Sequence, residues 1–128
     1  MPISKLQRAY LVLWFLGALI SFVLQFFFPA VLSEQTVWGL TPGWQREIAF
    51  WNLGMAFILA LTIFKKTKSL VFAVTLTATL LSLLFAINHL DALLTHSERL
   101  IHWIAFAANS IAFLFGIVVL TLKSTTPD

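Results

Sequence analysis

Three side chains within apolar stretches of the sequence are of types that bind protons or metal ions. They are Glu47, His89 and His102, and no short ligand spacing such as H-x₃-H joins them. Imidazole and carboxylate groups suit zinc, copper or iron, and two histidines at similar depth can ligate a haem axially. A histidine that pairs with a carboxylate is nevertheless commoner than one that binds a metal. These three residues are therefore candidates for a metal site, but the sequence assigns neither a metal nor a cofactor.

Amides and a further acid extend this polar set. The candidate ligand-binding residues are Gln25, Gln45, Glu47, Asn52, His89, Asp91, His102 and Asn109. Ionisable groups inside a membrane are functional candidates by default, whereas amides can also bond to one another and fix helix register. A catalytic pairing is not indicated, because Ser82 and His89 are separated by ~10 Å along a helix. The sequence therefore leans against an enzyme.

Four long apolar runs must position these candidates. They are approximately Tyr10–Leu32, Trp44–Phe64, Leu70–Leu90 and Leu100–Leu122. Each reaches the ~20 residues that a helix needs to cross a bilayer core of ~30 Å. Hydrophobic residues make up 60% of the chain and charged residues 10%, against about 25% charge in soluble domains. We therefore expect one integral membrane domain over residues 1–128, an all-α, four-helix transmembrane bundle in up-down-up-down order.

The positive charges lie between the runs and predict an orientation. Six basic residues fall on one side of a four-span chain, namely Lys5, Arg8, Lys65, Lys66, Lys68 and Lys123. Arg46 and Arg99 fall on the other side. By the positive-inside rule both termini are cytoplasmic, which predicts a multi-pass cell-membrane protein (N-in and C-in) with loops 33–43 and 91–99 outside. The net charge of +3 is then loop charge, and no nucleic-acid partner is expected.

The ends of the apolar runs carry local helix signals. Pro29 should end or kink the first helix, and Thr41 followed by proline should begin the second. Ser69 can cap the third helix, while Thr95 with Glu98 three residues later predicts a capping box for the fourth. The first run is longer than the apolar core of a signal peptide, so we expect a retained helix.

Small and polar residues recur every three or four positions on each run, and these stripes should face the bundle interior. The stripes are Trp14, Ala18, Ser21, Gln25 and Phe28; Gln45, Ala49, Asn52, Ala56 and Leu59; Thr75, Thr79, Ser82, Ala86 and His89; and His102, Ala105, Asn109, Ala112 and Gly116. Gln25, Asn52, Ser82 and Asn109 would form one layer ~10–14 Å below the outer helix ends. Glu47 points ~140° away from Asn52 around the helix.

The second run contains a motif that resembles a known family. Gln45, Glu47, Phe50, Asn52 and Leu53 form Q-x-E-x-x-F-x-N-L. This resembles a helix in an uncharacterised family of small four-helix bacterial membrane proteins. That family also has a Gly-His pair late in the third helix, followed by an acid, where this chain has Asn88-His89-Leu90-Asp91.

The architecture looks like the DoxX-type bundle, a superfamily that includes subunits of quinone-linked oxidoreductases. The resemblance implies a bacterial cytoplasmic-membrane protein without an established activity. It also implies that Gln45, Glu47, Asn52 and His89 are the positions of interest.

Two classes of function remain after these observations. The first is a structural or accessory membrane component whose outer polar cluster only sets helix packing. The second is a binding protein with a pocket in the outer half of the bundle, which would hold a quinone, a lipid, a metal or a haem. The expected partners are the lipid bilayer and either another membrane protein or a second copy of the chain.

Overall fold

A computed structural model of the chain describes residues 3–122, and Lys123 lies outside this range. The described residues form α-helices and no strand. The helices are α1 (Lys5–Phe27), α2 (Pro29–Gln35), α3 (Pro42–Lys65), α4 (Lys68–Thr95) and α5 (Leu100–Thr121). All except α2 are long and apolar enough to cross a membrane. The prediction of an all-α bundle is therefore confirmed, with four helices that are long and apolar enough to span a membrane.

The first apolar run is divided into two helices. It was expected to continue to Leu32, but α1 ends at Phe27 and α2 starts at Pro29. Phe28 between them has a non-helical backbone, with φ −128° and ψ 42°. Proline has no N–H to bond to the preceding turn and its ring clashes with that turn, so it is tolerated at the first position of a new helix but not inside a helix. The expected break is confirmed, and α2 is an additional short helix.

The predicted caps were partly wrong. Thr41 does precede α3 with Pro42 at its first position, although its side chain makes no capping bond. Ser69 lies inside α4, which begins at Lys68. Thr95 is the last residue of α4, and its hydroxyl donates to the carbonyl of Ala92 instead of capping α5.

Burial explains why α4 continues past its predicted end at Leu90. Ala92 and Leu93 are both buried, so the tertiary packing stabilises one further helical turn. A capping box does form at the start of α1, where Ser4 and Gln7 exchange two hydrogen bonds of 3.1 Å each. The S-x-x-Q spacing was present in the sequence as a signal for this box.

The long helices associate mainly in two pairs. α1 packs against α3 and α4 packs against α5, and the contacts between the two pairs are fewer. One buried cluster joins α1, α3 and the first turns of α4, and it consists of Leu11, Ala18, Ala56, Leu59, Val71 and Val74. A second joins α1, α4 and α5 through Tyr10, Ala78 and Val119. The stripes predicted to face inward are buried or half-buried, except that Phe28 is exposed at the break.

The closest approach between helices is at Gly116 of α5. A Cβ atom placed there would lie 2.7 Å from the Tyr10 hydroxyl and would overlap Thr79. The Tyr10 hydroxyl is 3.1 Å from Thr79 Oγ1, and Thr79 in turn donates to the carbonyl of Thr75 at 2.8 Å. Thr79 has one hydroxyl proton, so Tyr10 is the donor of the bond between them. Glycine is required here because three helices meet without space for a side chain.

Candidate functional site

The structure brings His89 of α4 and His102 of α5 together. Their Nδ1 atoms are 2.9 Å apart, and the backbone N–H of Val37 donates to His102 Nε2 at 3.3 Å. Since Nε2 of His102 accepts, the proton of the neutral ring is on Nδ1, which donates to His89. His89 Nδ1 therefore accepts, and its own proton is on Nε2. The three groups form one hydrogen-bond chain that runs in a single direction.

Trp38 completes this cluster, which we call the histidine cluster (Val37, Trp38, His89 and His102). The Trp38 ring lies 4.9 Å from the His102 ring, nearly perpendicular to it, and 5.2 Å from the His89 ring. His102 is fully buried, whereas Trp38 is half exposed. Trp38 was not among the candidates predicted from the sequence. A tryptophan between two spans is typical of the membrane interface, and nothing local indicates contact with a distant histidine.

The segment that carries Val37 and Trp38 is held in place by side chains from two spans. Arg99 donates to the carbonyl of Glu34 at 2.8 Å, and Gln45 donates to the carbonyl of Pro29 at 3.0 Å. Both acceptors belong to α2, so α2 is tied to α3 on one side and to the start of α5 on the other. Gln45, one of the predicted site residues, therefore positions α2 through its bond to the Pro29 carbonyl.

The predicted amide layer does not form bonds between helices. Asn52 donates to the carbonyl of Ile48 at 2.9 Å, and Asn109 donates to that of Ala105 at 2.8 Å. Ser82 is bonded in the same way to Ala78. Short polar side chains in an apolar environment reach the carbonyl four residues earlier in their own helix. These residues lie on the expected inward faces, but they do not fix helix register by bonding to one another.

Two glutamines keep a buried carbonyl oxygen without a partner. These are Oε1 of Gln25 and Oε1 of Gln45. Such groups are uncommon in folded proteins because an unpaired buried acceptor loses its hydration without compensation. Gln25 is not part of the histidine cluster.

Glu47 and Asn52 line an open groove of about 740 Å³ between α1, α3 and α4. The groove walls are otherwise mostly apolar and aromatic, with Trp14, Ile48, Phe50, Trp51, Gly54, Met55, Ile58, Leu81 and Phe85. Trp14 also has a buried indole N–H without a partner. Glu47 and Asn52 point ~140° apart around α3, yet both line the groove, because it extends over more than one face of this helix.

The metal candidates are divided between two places. Glu47 lines the groove, while His89 and His102 bond to each other. Residues 3–122 contain no group of three or more His, Cys, Asp or Glu side chains that could hold a metal ion, and zinc sites use three or four protein ligands. The two Nδ1 atoms, 2.9 Å apart, are also closer than the ~4 Å across a metal with two opposed bonds of ~2.0 Å.

Asp91 and the loop before α5 form an exposed charged edge. Asp91 is exposed, and His96 Nδ1 lies 3.4 Å from a carboxylate oxygen of Glu98. The pKa of Glu98 is held below its usual value, first by a hydrogen bond from its own backbone N–H and then by the nearby charges of His96 and Arg99. Asp91 does not contact the histidine cluster through any hydrogen bond or ion pair in the described part of the chain.

Comparison with known protein families identifies the group to which the chain belongs. The model of a family of unknown function (DUF6790) matches residues 2–127. The chain is a member of DUF6790. No curated protein and no solved structure matches it. Membership of DUF6790 agrees with the uncharacterised family expected from the helix motif, and it assigns no activity.

Proposed function

We propose that the groove between α1, α3 and α4 binds one lipid-like molecule that has a long apolar tail and a carbonyl-bearing head. The observation that carries this proposal is the groove itself. Its volume of about 740 Å³ lies within the range of ~300–1,000 Å³ typical of small-molecule sites. It is open at the side of a bundle whose helices are suited to cross a membrane, so a tail can enter from the surrounding acyl chains.

The polar atoms of the groove limit the head that it would accept. Asn52 uses one amide hydrogen on Ile48, which leaves a second hydrogen and the carbonyl oxygen for a ligand. The Glu47 carboxylate accepts hydrogen bonds and disfavours an anionic head. A quinone or a neutral or zwitterionic glycerolipid has this chemistry, because its carbonyl groups accept from an amide and its apolar part packs on aromatic walls.

Two glycines provide a matched test of binding. Gly54 lines the groove, Gly17 of α1 does not, and a Cβ atom added to either would meet no neighbouring residue within 4 Å. Titration of the purified chain with decyl-benzoquinone, and separately with phosphatidylcholine, is followed by native mass spectrometry. We expect one of these probes to bind saturably to the unaltered chain and to Gly17→Phe. Gly54→Phe should bind it at least ~10-fold more weakly, because the phenyl ring fills the groove.

Two further variants test the polar part of the site. Asn52→Leu keeps the side-chain size and should weaken binding of the same probe, whereas Asn109→Leu, which is outside the groove, should not. Equal binding by Gly54→Phe and Gly17→Phe would contradict the proposal, as would the absence of saturable binding of both probes to the unaltered chain. The probe that binds decides between a quinone and a glycerolipid.

A structural or accessory role is the second candidate, and the histidine cluster favours it. Three of the four histidine ring nitrogens in this cluster already bond to protein groups. Because one of these bonds comes from Val37, the cluster attaches the loop after α2 to α4 and α5. Under this role the groove is filled by bulk lipid without preference. Saturable binding that is sensitive to Gly54→Phe would separate the two candidates.

We also propose an up-down-up-down chain with both termini and the Lys65–Lys68 turn in the cytoplasm. Ring contacts support the order, since Phe26 near the end of α1 lies 5.7 Å from Phe50 near the start of α3. The chain has no cysteine, so single cysteines can report topology. We expect a membrane-impermeant maleimide to label Ser97→Cys in intact cells and to label Thr67→Cys only after permeabilisation. The reverse pattern would overturn this orientation.

The DoxX-like architecture and the bacterial cytoplasmic membrane belong to the same proposal. They are supported by the Q-x-E-x-x-F-x-N-L motif and by the four apolar helices.

A further inference from the structure

Basic residues from two separate segments lie at the end of the bundle opposite the histidine cluster. Lys65, Lys66 and Lys68 occupy the turn between α3 and α4, and all are exposed. Ile3, just before α1, packs against the buried cluster that Ile63 and Leu70 also contact. Phe26 near the end of α1 contacts Phe50 of α3, so the two helices are antiparallel, and the start of α1, with exposed Lys5 and Arg8, lies at the same end of the bundle as the lysine turn. We call these five basic residues the basic end.

The turn is built so that its lysines stay close together. α3 ends at Lys65 and α4 begins at Lys68. Lys66 adopts the left-handed conformation (φ 55°) and its N–H bonds to the carbonyl of Thr62 at 3.0 Å. This cap ends α3 at Lys65, and α4 starts only three positions later. The three lysines therefore lie within four consecutive positions of the chain.

Acidic residues of the described chain lie towards the other end. They are Glu34, Glu47, Asp91 and Glu98. Glu98 belongs to the loop before α5, and the Glu34 carbonyl accepts from Arg99 of that loop. Along α4 the separation between Lys68 and Asp91 is ~35 Å at 1.5 Å per residue, roughly the thickness of a bilayer core. The basic end therefore lies at one membrane surface, and the end that carries the acidic residues lies at the other.

From this geometry we propose that the basic end binds the headgroup phosphates of anionic lipids. The lysines flank the ends of two membrane helices and therefore lie at headgroup level, where anionic lipids concentrate negative charge. Exposed ammonium groups at this level attract phosphate, and the attraction falls with distance over a Debye length of ~8 Å. The surface is independent of the groove, whose Glu47 carboxylate disfavours an anionic head.

Native mass spectrometry of the full chain with phosphatidylglycerol and phosphatidylcholine of identical acyl chains tests this inference. The unaltered chain should bind phosphatidylglycerol more tightly than phosphatidylcholine. The double variant Lys65→Gln/Lys66→Asn should lose roughly 25-fold in phosphatidylglycerol affinity, about fivefold for each lysine. Asparagine is chosen at position 66 because it tolerates the left-handed backbone.

Three control variants and one competitor separate charge from folding, from the groove and from free phosphate. Lys65→Arg/Lys66→Arg keeps the charges and should retain the preference, and Arg46→Gln removes a charge at the other end and should leave it unchanged. Gly54→Phe should leave the phosphatidylglycerol affinity unchanged, even where it weakens phosphatidylcholine binding in the groove, so this inference and the groove proposal fail separately. Inorganic phosphate at the same concentration should not displace the lipid, because it has no acyl chain to hold it at the surface.

The inference is overturned if Gly54→Phe, whose groove is blocked, binds phosphatidylglycerol no more tightly than phosphatidylcholine, or if Lys65→Gln/Lys66→Asn keeps the full phosphatidylglycerol affinity. It is also overturned if Gly54→Phe abolishes phosphatidylglycerol binding, which would assign that lipid to the groove, or if inorganic phosphate competes for the lipid.

Discussion

The contact of α4 with α5 and the contact of α4 with α3 differ in the size of the residues that meet. Where α4 meets α5, Gly116 lies against Thr79, and a single added carbon would collide with Thr79 and Tyr10. Where α4 faces α3, Leu81 and Phe85 stand opposite Met55 and Ile58, and these bulky side chains line a groove of about 740 Å³. Since lipid is as apolar as leucine, membrane helices approach closely only where side chains are small.

This difference explains where a ligand site can exist in such a small protein. The α4–α5 contact is filled, and it ends in the histidine cluster, where the hydrogen bonds are made within the protein. The α3–α4 side keeps open volume together with two polar side chains, Glu47 and Asn52. The first region is therefore closed by contacts within the protein, and the second is the one for which we propose binding.

Gly116→Ala should have the largest effect on the close contact. The added methyl group overlaps Thr79 and lies 2.7 Å from the Tyr10 hydroxyl, and overpacking of this kind costs about 3 kcal/mol. The matched change Gly54→Ala, on the open side, meets no atom within 4 Å and should stabilise by ~0.5–1 kcal/mol through helix propensity. Unfolding by SDS titration in mixed micelles measures both. Equal effects of the two changes would show that the contact is not tight.

His102→Leu tests the polar end of the same contact. The side chain is fully buried, and its loss leaves the Val37 N–H and His89 Nδ1 without partners. We expect a loss of about 2 kcal/mol in the free energy of unfolding and faster hydrogen exchange at the Val37 amide. His96→Leu is the control, because His96 is exposed and lies outside the cluster. An unchanged exchange rate at Val37 would mean that His102 does not hold the loop.

Tyr10→Phe should have a smaller effect than either change above. The hydroxyl of Thr79 keeps its bond to the Thr75 carbonyl, so only the bond from Tyr10 is lost, and the ring can keep its edge contact with Phe115 at 5.4 Å. Hydrogen bonds between membrane helices average about 0.6 kcal/mol. SDS titration should show a loss near that value. A loss as large as that of Gly116→Ala would mean that the hydroxyl, and not shape, holds the contact.

Glu98→Gln should have the smallest effect on stability, and this effect should depend on pH. Because the pKa of Glu98 is lowered in the folded chain, by its backbone N–H first and then by His96 and Arg99, the ionised carboxylate favours folding. That contribution is present above the ordinary pKa of 4.5 and is lost as the pH falls through the lower folded value. The thermal unfolding temperatures of the unaltered chain and of Glu98→Gln should therefore differ above pH 4.5 and converge as the pH falls through the lowered pKa of Glu98. A difference that does not shrink as the pH falls below 4.5 would contradict this origin.

Glu47, Asn52, His89 and His102 were named as candidates from the sequence, and their role in a site stays a prediction, but most of their contacts could not be foreseen. His89 and His102 were expected at similar depth, and they are in contact. Asn52 and Asn109 were expected to be able to bond across the bundle, yet each bonds to its own helix, because the carbonyl four residues earlier is within reach and has a second lone pair to accept with. Trp38 was missed because its partners are more than fifty residues away in the chain.

Local properties of the sequence were sufficient to specify the four apolar helices, the break at Pro29 and the inward faces of the spans. These features follow from the length of apolar runs, from the missing N–H of proline and from the periodicity of the helix. Tertiary packing was needed to hold Val37 and Trp38 against the histidines, and to leave a groove beside Glu47 and Asn52. Those features depend on how closely two helix pairs approach, and that distance is set by side chains that are far apart in the chain.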